Sequence, residues 1–427
     1  MKIKRILLIF IIILYATQNL FSYEYYYQNL NKEEQETYKV ILNAIKNKKN
    51  DISIDIFDFD EVSNIYYSVL NDNPELFYVT NKFNLSTNSI NNNIVSAKII
   101  VDYKESILND LDNIDGKLNQ IKYDLYFKTL GFSEFEIVKY CFEYLCNKST
   151  YNINYDDQSL IGVMLENRGV CASYAKSFKY LMDFFDIPCY IVEGFFISSN
   201  ENHAWNMVEI DENWYHIDVT QADSNDIFID YSYLCILDEQ IRKDHIISSQ
   251  VNKTKSIDYF YLNNIGCYFN QFNENVIKQI LLNKVINYKT PLIFTFKNNI
   301  DFNKCKSFLL DKENLFNILI NEGYIVNNIN YYINDLTDTV VFLLDEVEKE
   351  DDIIFINTVS KEVLSTLINQ KYNKQINTFK LLFSNKGDFE KAKKILLEEQ
   401  YIFEIIENNE TIEVIYYDNI YRFDILI

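Results

Sequence analysis

The chain has 427 residues, too many for a single ordinary core; at roughly 150 residues per domain it should divide into a few units. With 48% hydrophobic residues, 16% aromatic residues and only 3 prolines and 8 glycines, it can bury a large core and lacks the composition of a disordered chain. A net charge of −22 excludes nucleic-acid binding that depends on a basic surface, while a cationic peptide or amine partner is allowed.

At the N-terminus Lys2, Lys4 and Arg5 precede the apolar run Ile6 to Ala16, followed by polar Thr17, Gln18 and Asn19, the pattern of an export signal. The run falls short of the roughly 20 apolar residues that a membrane span needs. The expectation is a signal peptide over residues 1–22, cut after Ala16 or Ser22, and an exported protein in the periplasm, at the cell surface or outside the cell. Contact with a membrane is expected only if this segment stays uncleaved. The 7 cysteines are an odd number, so disulfide pairing leaves at least one free thiol. No cysteine or histidine spacing suits zinc, and neither a metal nor another cofactor is expected.

Asn31 with Glu34 three residues on reads as a capping box before a helix that carries Tyr38, Ile41, Leu42 and Ile45. Ile52, Ile54 and Ile56 alternate as a strand, a helix covers about 61–70, and Asn73-Pro74 ends it before the short apolar run Leu76 to Val79. Val95, Ala97, Ile99, Val101 and Tyr103 alternate as a half-buried strand, and a charged helix follows. Residues 23–130 therefore read as an N-terminal α/β unit.

From Ser133 the pattern becomes a long amphipathic helix with Ile137, Tyr140, Cys141 and Tyr144 on one face. A polar stretch, Asn147 to Gln158, leads to Gly169. A second helix starts near Cys171, buries Tyr174, Phe178, Leu181, Met182 and Phe185, and is stopped by Pro188. Strands follow at 189–192, 204–210 and 214–219, the last two joined as a hairpin by the turn Asp211-Glu212-Asn213. This central domain spans 131–250. The C-terminal region, 251–427, contains an ungapped internal repeat: the stretch from Phe294 matches that from Leu381, with Phe296 and Phe383, Asp301 and Asp388, Phe302 and Phe389, Lys304 and Lys391, and Phe316 and Phe403 coinciding. The copies, about 270–345 and 358–427, each read as helix, strand, helix and two strands, a duplicated α/β unit.

Three central segments carry chemistry: GVCASYAKSF (169–178), ENHAWNMVEI (201–210) and WYHIDVT (214–220). A cysteine in the first turn of a helix gains thiolate character from the helix dipole and a neighbouring imidazolium. His203 on one strand can serve that sulfur, and Asp218 on the next can hold the imidazole in its working tautomer. Each residue also has a packing reading. A lone cysteine in an apolar helix is usually core, Trp205 and Trp214 are either walls of an acyl-donor groove or core aromatics, and Tyr174 is first a helix-face core residue. His216 is an alternative base, and His245, after Asp244, is first a structural contact.

At these residues the sequence resembles the transglutaminase-like superfamily, through its Gly-Val-Cys-x-x-Tyr-Ala, His-Ala-Trp-Asn and Trp-Tyr-x-x-Asp-x-Thr motifs over about 133–245. The flanking segments look like those of bacterial secreted members. The resemblance implies an α+β fold with a transglutaminase/papain-like core between the N-terminal unit and the duplicated C-terminal unit. It implies Cys171 as nucleophile, His203 as general base and acid and Asp218 as orienting residue, with Tyr174, Trp205 and Trp214 as candidate substrate-binding residues. Gln221-Ala222 and Cys141-Phe142-Glu143 depart from frequent family residues without touching the three. The implied activity is cysteine acyl transfer on peptide or protein amides, ending in hydrolysis or cross-linking. The rival expectation is an exported non-catalytic binding or scaffold protein that keeps the fold.

Overall fold

The computed structural model describes residues 23–90, 93–223, 228–285, 291–310, 314–349, 353–356, 359–373, 378–383, 386–398, 413–417 and 421–426. The signal-like segment 1–22 and the repeat position Phe403 lie outside them. The chain forms two compact units, one ending at Gly266 and the other beginning at Cys267. Segments 23–130 and 131–250 pack within the first unit, which also takes in 251–266.

The first unit opens with a short helix, Tyr25–Asn29, before the expected helix Lys32–Lys46. Asn31 accepts from the N–H groups of Glu33 and Glu34, and the Glu34 carboxylate accepts from the Asn31 N–H, which satisfies donors that a helix start leaves open. Helix Phe59–Asp72 starts at the cap Asp58. Strands β1 (Asp51–Ile54), β2 (Val79–Ile90) and β3 (Asn93–Tyr103) make an antiparallel sheet in the order β1-β3-β2. The sequence shows only the apolar run Leu76 to Val79 here, which reaches the first residue of β2; the Asn, Ser and Thr residues that follow hide the alternation. Asp72 fastens the N-terminal segment by accepting from the N–H groups of Tyr26 and Tyr27 and from the Tyr38 hydroxyl.

Helix Glu134–Lys148 follows a second capping box, Ser133 with Glu136. Its buried stripe is Val138, Cys141, Phe142, Leu145 and Cys146; Ile137, Tyr140 and Tyr144 of the expected face are only half-buried. Strand pairs β4 (Thr150–Tyr151) and β5 (Arg168–Gly169) flank a short helix, Ile161–Leu165, that the sequence reading did not foresee. Helix Cys171–Phe184 is buried nearly all round, as a central helix must be. It ends at Phe184, ahead of Pro188, with Asp186 in the left-handed region, and Phe184 rather than Phe185 is the buried ring.

This helix packs on a four-stranded antiparallel sheet in the order β8-β7-β6-β9: β6 (Cys189–Phe196), β7 (Asn202–Ile210), β8 (Asn213–Ile217) and β9 (His245–Ile247). The buried Lys179 amine joins helix, sheet and N-terminal segment. It bonds Asp183 at 3.0 and 3.1 Å and the carbonyls of Tyr23 and Cys189 at 3.2 Å each.

In the second unit β10 (Tyr268–Phe269), β11 (Leu292–Phe296), β12 (Tyr324–Asn334) and β13 (Thr339–Lys349) form a sheet in the order β10-β11-β13-β12. The second copy repeats that topology with β14 (Ile353–Ile356), β15 (Thr378–Phe383), β16 (Glu413–Tyr417) and β17 (Arg422–Leu426), in the order β14-β15-β17-β16. In both sheets the first pair is parallel and the other two antiparallel. Each copy thus carries one more leading strand than expected. Phe296 and Phe383 are fully buried, as are Phe302 and Phe389, so the coincident residues hold equivalent core positions.

Candidate active site

Cys171 is the first residue of helix Cys171–Phe184, placed there by the extended Val170 and by Gly169. A side chain at 169 would meet Val163 at 2.6 Å and Ser173 at 2.9 Å, so only glycine lets the strand run so close to the helix start. The six other cysteines are buried, while Cys171 is half-exposed.

His203 and Asp218 are brought together by the hairpin. Asp211 and Glu212 take left-handed conformations, φ 47° and 63°, as a tight hairpin turn requires. The resulting register sets Met207 opposite His216 and Asn206 opposite Ile217. The next residue, Asp218, therefore comes level with Trp205, diagonal to His203 on the same face. The His203 Nε2 to Asp218 Oδ2 distance is 2.6 Å. Asp218 is wholly buried and caps the short helix Val219–Ala222, its Oδ1 accepting from the Gln221 N–H at 3.1 Å.

The electrostatics follow from burial and charge. Burial alone would lower the His203 pKa; the Asp218 carboxylate and its hydrogen bond outweigh it, the Cys171 thiol adds a hydrogen bond and a charge, and the value rises to about 9. Burial would raise Asp218, yet His203 and His245 hold it well below the usual carboxylate range. Because Nε2 of His203 is engaged by Asp218, Nδ1 is the nitrogen left for the thiol.

Behind this pair lies a buried chain. His245 Nε2 also reaches Asp218 Oδ2, at 3.1 Å, its Nδ1 reaches Asp244 Oδ1 at 2.5 Å, and the Tyr233 hydroxyl donates to Asp244 Oδ2 at 2.6 Å. A carboxylate on each ring nitrogen favours the doubly protonated form of His245. Burial opposes that charge, but Asp218 and Asp244 raise its pKa. Gly194 makes room for this strand: a side chain there would meet the Ile246 carbonyl at 2.0 Å and Trp205 at 2.8 Å. His245 was read from the sequence as a structural contact; it is a direct partner of Asp218. The available clue was that all three histidines of the chain fall in the central segment.

The other sequence candidates are placed differently. His216 has no free nitrogen: Nδ1 accepts from the Trp205 indole at 3.0 Å and Nε2 meets Asp238 at 3.0 Å. Burial also lowers its pKa, so it is a neutral structural histidine rather than an alternative base. Trp205 and Tyr174 are fully buried, so they stand behind the site rather than line a groove. Trp205 lies near-parallel to His203 at 5.9 Å between ring centres, and the Tyr174 hydroxyl donates to Asp223. Trp214 sits opposite Glu209, six residues along β7 from His203 and so about 20 Å away; it packs with Tyr23 and Tyr190. Two accessible residues near Cys171 and His203 are ones the sequence reading missed: half-buried Phe196, 4.1 Å from the His203 ring centre, and exposed Tyr151, whose pKa is raised by burial and then by Cys171.

Among the described residues, His203, Asp218 and His245 are the group whose ligand atoms, within 4.8 Å of one another, could hold a metal. Both imidazoles aim at one carboxylate oxygen at hydrogen-bonding distance. A zinc ion held at about 2.0–2.1 Å by each would spread neighbouring donors to about 3.3 Å. The 2.6 Å His203–Asp218 contact has the geometry of a charge-assisted hydrogen bond. Among the described residues no helix is long and apolar enough to cross a membrane.

Residues 129–219, which contain Cys171, His203 and Asp218, match the model of the transglutaminase-like superfamily. Among solved structures the chain is similar to a candidate cysteine protease from Cytophaga hutchinsonii, at 18% identity over 34% of this chain and 63% of that one, with a TM-score of 0.22. It is also similar to a TGase, at 20% identity over 40% of this chain and 50% of that one, with a TM-score of 0.21. The chain thus spans between half and two thirds of the length of those proteins. No curated protein matches it.

Proposed function

From the premise that residues 129–219 form a transglutaminase-like domain in an α+β fold, we propose that the protein is a cysteine-dependent acyl-transfer enzyme acting on peptide or protein amide bonds. Cys171 is the nucleophile, His203 the base and acid, and Asp218 the orienting carboxylate. The observation that carries this reading is the buried 2.6 Å pair of His203 and Asp218, with the one accessible thiol acting on the same ring.

The imidazolium of His203 stabilises the Cys171 thiolate, helped by the helix start. The sulfur attacks the amide carbonyl, and the Cys171 backbone N–H, in the first helical turn, faces the developing oxyanion. The carbon–nitrogen bond breaks as His203 passes its proton to the leaving amine. His203 then takes a proton from water or from an acceptor amine, which attacks the thioester and releases the sulfur. Water gives hydrolysis, and an amine gives cross-linking. Export of the enzyme belongs to the same proposal and rests on residues 1–22; N-terminal sequencing of the native protein should begin after Ala16 or Ser22, and recovery of Met1 in a soluble cytosolic fraction would refute it.

The deciding experiment exposes the protein to a panel of peptides and reads mass added to the Cys171 peptide. An acyl adduct that disappears in Cys171→Ala is expected. Absence of any adduct, together with equal alkylation of all seven thiols, would favour the scaffold reading.

A further inference from the structure

A cavity of about 430 Å³ in the first unit is enclosed by the end of helix Phe59–Asp72, the start of β2, the end of β3, residues 156–159 and Lys176 of the central helix, and neither Cys171 nor His203 lines it. That volume falls in the range of roughly 300–1,000 Å³ common to small-molecule sites. Its inner wall is apolar, formed by the buried Leu70, Pro74, Leu76, Phe77 and Val79.

One charged group stands at this inner end. Lys176 is nine-tenths buried, lines the cavity, and makes a single hydrogen bond among the described residues, to Asn81 Oδ1 at 3.5 Å. Among the described residues no carboxylate forms an ion pair with it at contact distance. Asp157 is engaged by the Lys104 amine at 2.7 Å and by the Ser159 N–H at 2.8 Å, while Asp102 and Asp156 are exposed at the mouth. The contrast with Lys179, one turn further along the same helix and bonded to both oxygens of Asp183, shows how this fold treats a buried amine that it intends to satisfy internally. An ammonium left in apolar surroundings is costly. Burial, followed by the nearby Lys104, holds the Lys176 pKa down at about 8 against the smaller opposing pull of Asp157 and Glu193.

We propose that this cavity is a binding site for the carboxylate of a small organic anion with an apolar body, the carboxylate pairing with Lys176 and the body resting on the Leu76, Phe77 and Val79 wall. The anion supplies the counter-charge that the protein withholds, and the apolar wall supplies the remaining affinity. Two sources share this chemistry: a free organic acid, and the C-terminal carboxylate of a peptide ending in an apolar residue. The site is independent of the acyl-transfer reading, and its test reads binding rather than turnover.

Full-length protein is titrated calorimetrically with 3-phenylpropionate and with 3-phenylpropionamide, and separately with acetyl-Ala-Phe carrying a free or an amidated C-terminus. Saturable binding of a carboxylate is expected, weakened about tenfold or more in its amide, which carries no charge to pair with the Lys176 ammonium. Lys176→Met should remove the preference for the carboxylate while keeping the amide's affinity, and Lys98→Met, exposed on β3 and outside the cavity lining, should leave both unchanged. Tighter binding of the peptide acid than of phenylpropionate assigns the source to a peptide terminus; the reverse assigns it to a free acid. Because Lys176→Met could fail to fold, acylation of Lys176 in the wild-type protein by acetic anhydride is followed in parallel by mass spectrometry, and the acid should protect it where the amide does not. Equal binding of acid and amide, no saturable binding of either acid at millimolar concentration, or protection by the amide as well would overturn the proposal.

Discussion

In the central sheet and its flanking turns, His203, His216, Asp218, Asp244 and His245 are all buried, whereas the hydrophobic cores of the two C-terminal copies are built from Phe, Leu, Ile, Val, Tyr, Ala and Cys side chains, with Asp338 in the β12–β13 turn and Arg422 at the start of β17 as their buried charged residues among those described. Burying charge is expensive, and replacing a buried ion pair by well-packed hydrocarbon is often neutral or stabilising. The duplicated copies meet a packing requirement twice with the same pattern. The central sheet departs from that economy at the residues proposed to do chemistry, which is where local rules are expected to break. If this contrast is functional, perturbing the buried charges should change the reactivity of Cys171, and perturbing the C-terminal cores should change stability alone.

The largest effect should come from Cys171 and its ion pair. Iodoacetamide near neutral pH should label Cys171 about a hundredfold faster than any other thiol, because accessible thiolate is what reacts. The remaining cysteines are buried; burial pushes Cys141, Cys189 and Cys235 far up and Cys305 to about 12. Cys171→Ala should abolish the fast phase and leave the fold intact, and comparable rates at several thiols would count against a catalytic role.

Next comes Asp218→Asn. It removes the charge that stabilises the imidazolium and can hold the wrong imidazole tautomer, a change that costs about 10⁴ in the serine-protease template. A smaller loss is expected here, about 10²–10³, because a thiolate is the better nucleophile. The His203 pKa is raised from 6.5 to about 9, so its contribution to stability is fully present below 6.5 and lost as pH rises through 9. Asp218 is depressed below 3.8, so its contribution is present above 3.8 and lost as the solution is acidified below it. Thermal unfolding from pH 3 to 10 should therefore show extra stability in the wild type that is level between about 4 and 6.5 and falls away between 6.5 and 9, and that Asp218→Asn lacks. Superimposable stability profiles would show that the pair is not assembled as an ion pair.

Much of the first unit and its site was legible because the parts concerned are local. The helix start at Cys171, the Asp211-Glu212-Asn213 turn and the Asn31 capping box each depend on residues a few positions apart. The duplicated copies were legible because each is evidence for the other. What escaped depends on distant pairing. His245 reaches Asp218 only because β9 pairs with β6 some fifty residues earlier in the chain, a contact made possible by the missing side chain at Gly194. Trp214 was misjudged for a related reason: hairpin register, rather than nearness in sequence to Asp218, decides which end of the strand it occupies.

A middle-sized effect is expected at His245. His245→Gln can still donate to Asp218 but removes one cation from a buried network, which makes the thiolate harder to hold. The alkylation rate of Cys171 at neutral pH should fall about tenfold and its pH profile should move to higher pH, by less than in Asp218→Asn. A loss of thermal stability with an unmoved profile would make His245 a purely structural residue. Gly194→Ala should reproduce the shift by displacing β9, since the added carbon meets the Ile246 carbonyl.

The smallest effect on reactivity is predicted for the C-terminal unit, with a large effect on its own stability. Phe302→Ala and Phe389→Ala remove equivalent buried rings and should each cost about 3–5 kcal/mol, while the alkylation rate of Cys171 stays as in the wild type. Removing the unit altogether tests the same contrast, and the position of the cut matters. Phe260 and Leu262 are buried, Tyr259 stacks on Phe135, and Tyr261 lies against Tyr231, so residues 251–266 complete the core of the first unit. A chain ending at Gly266 should fold and keep the full reactivity of Cys171, since the proposed groups all lie before that point. A chain ending at residue 250 should lose those contacts, unfold at lower temperature and expose apolar surface. Loss of Cys171 reactivity in a folded chain ending at Gly266 would show that the duplicated unit completes the site, and would remove the distinction between the charged core around His203 and the largely apolar duplicated ones.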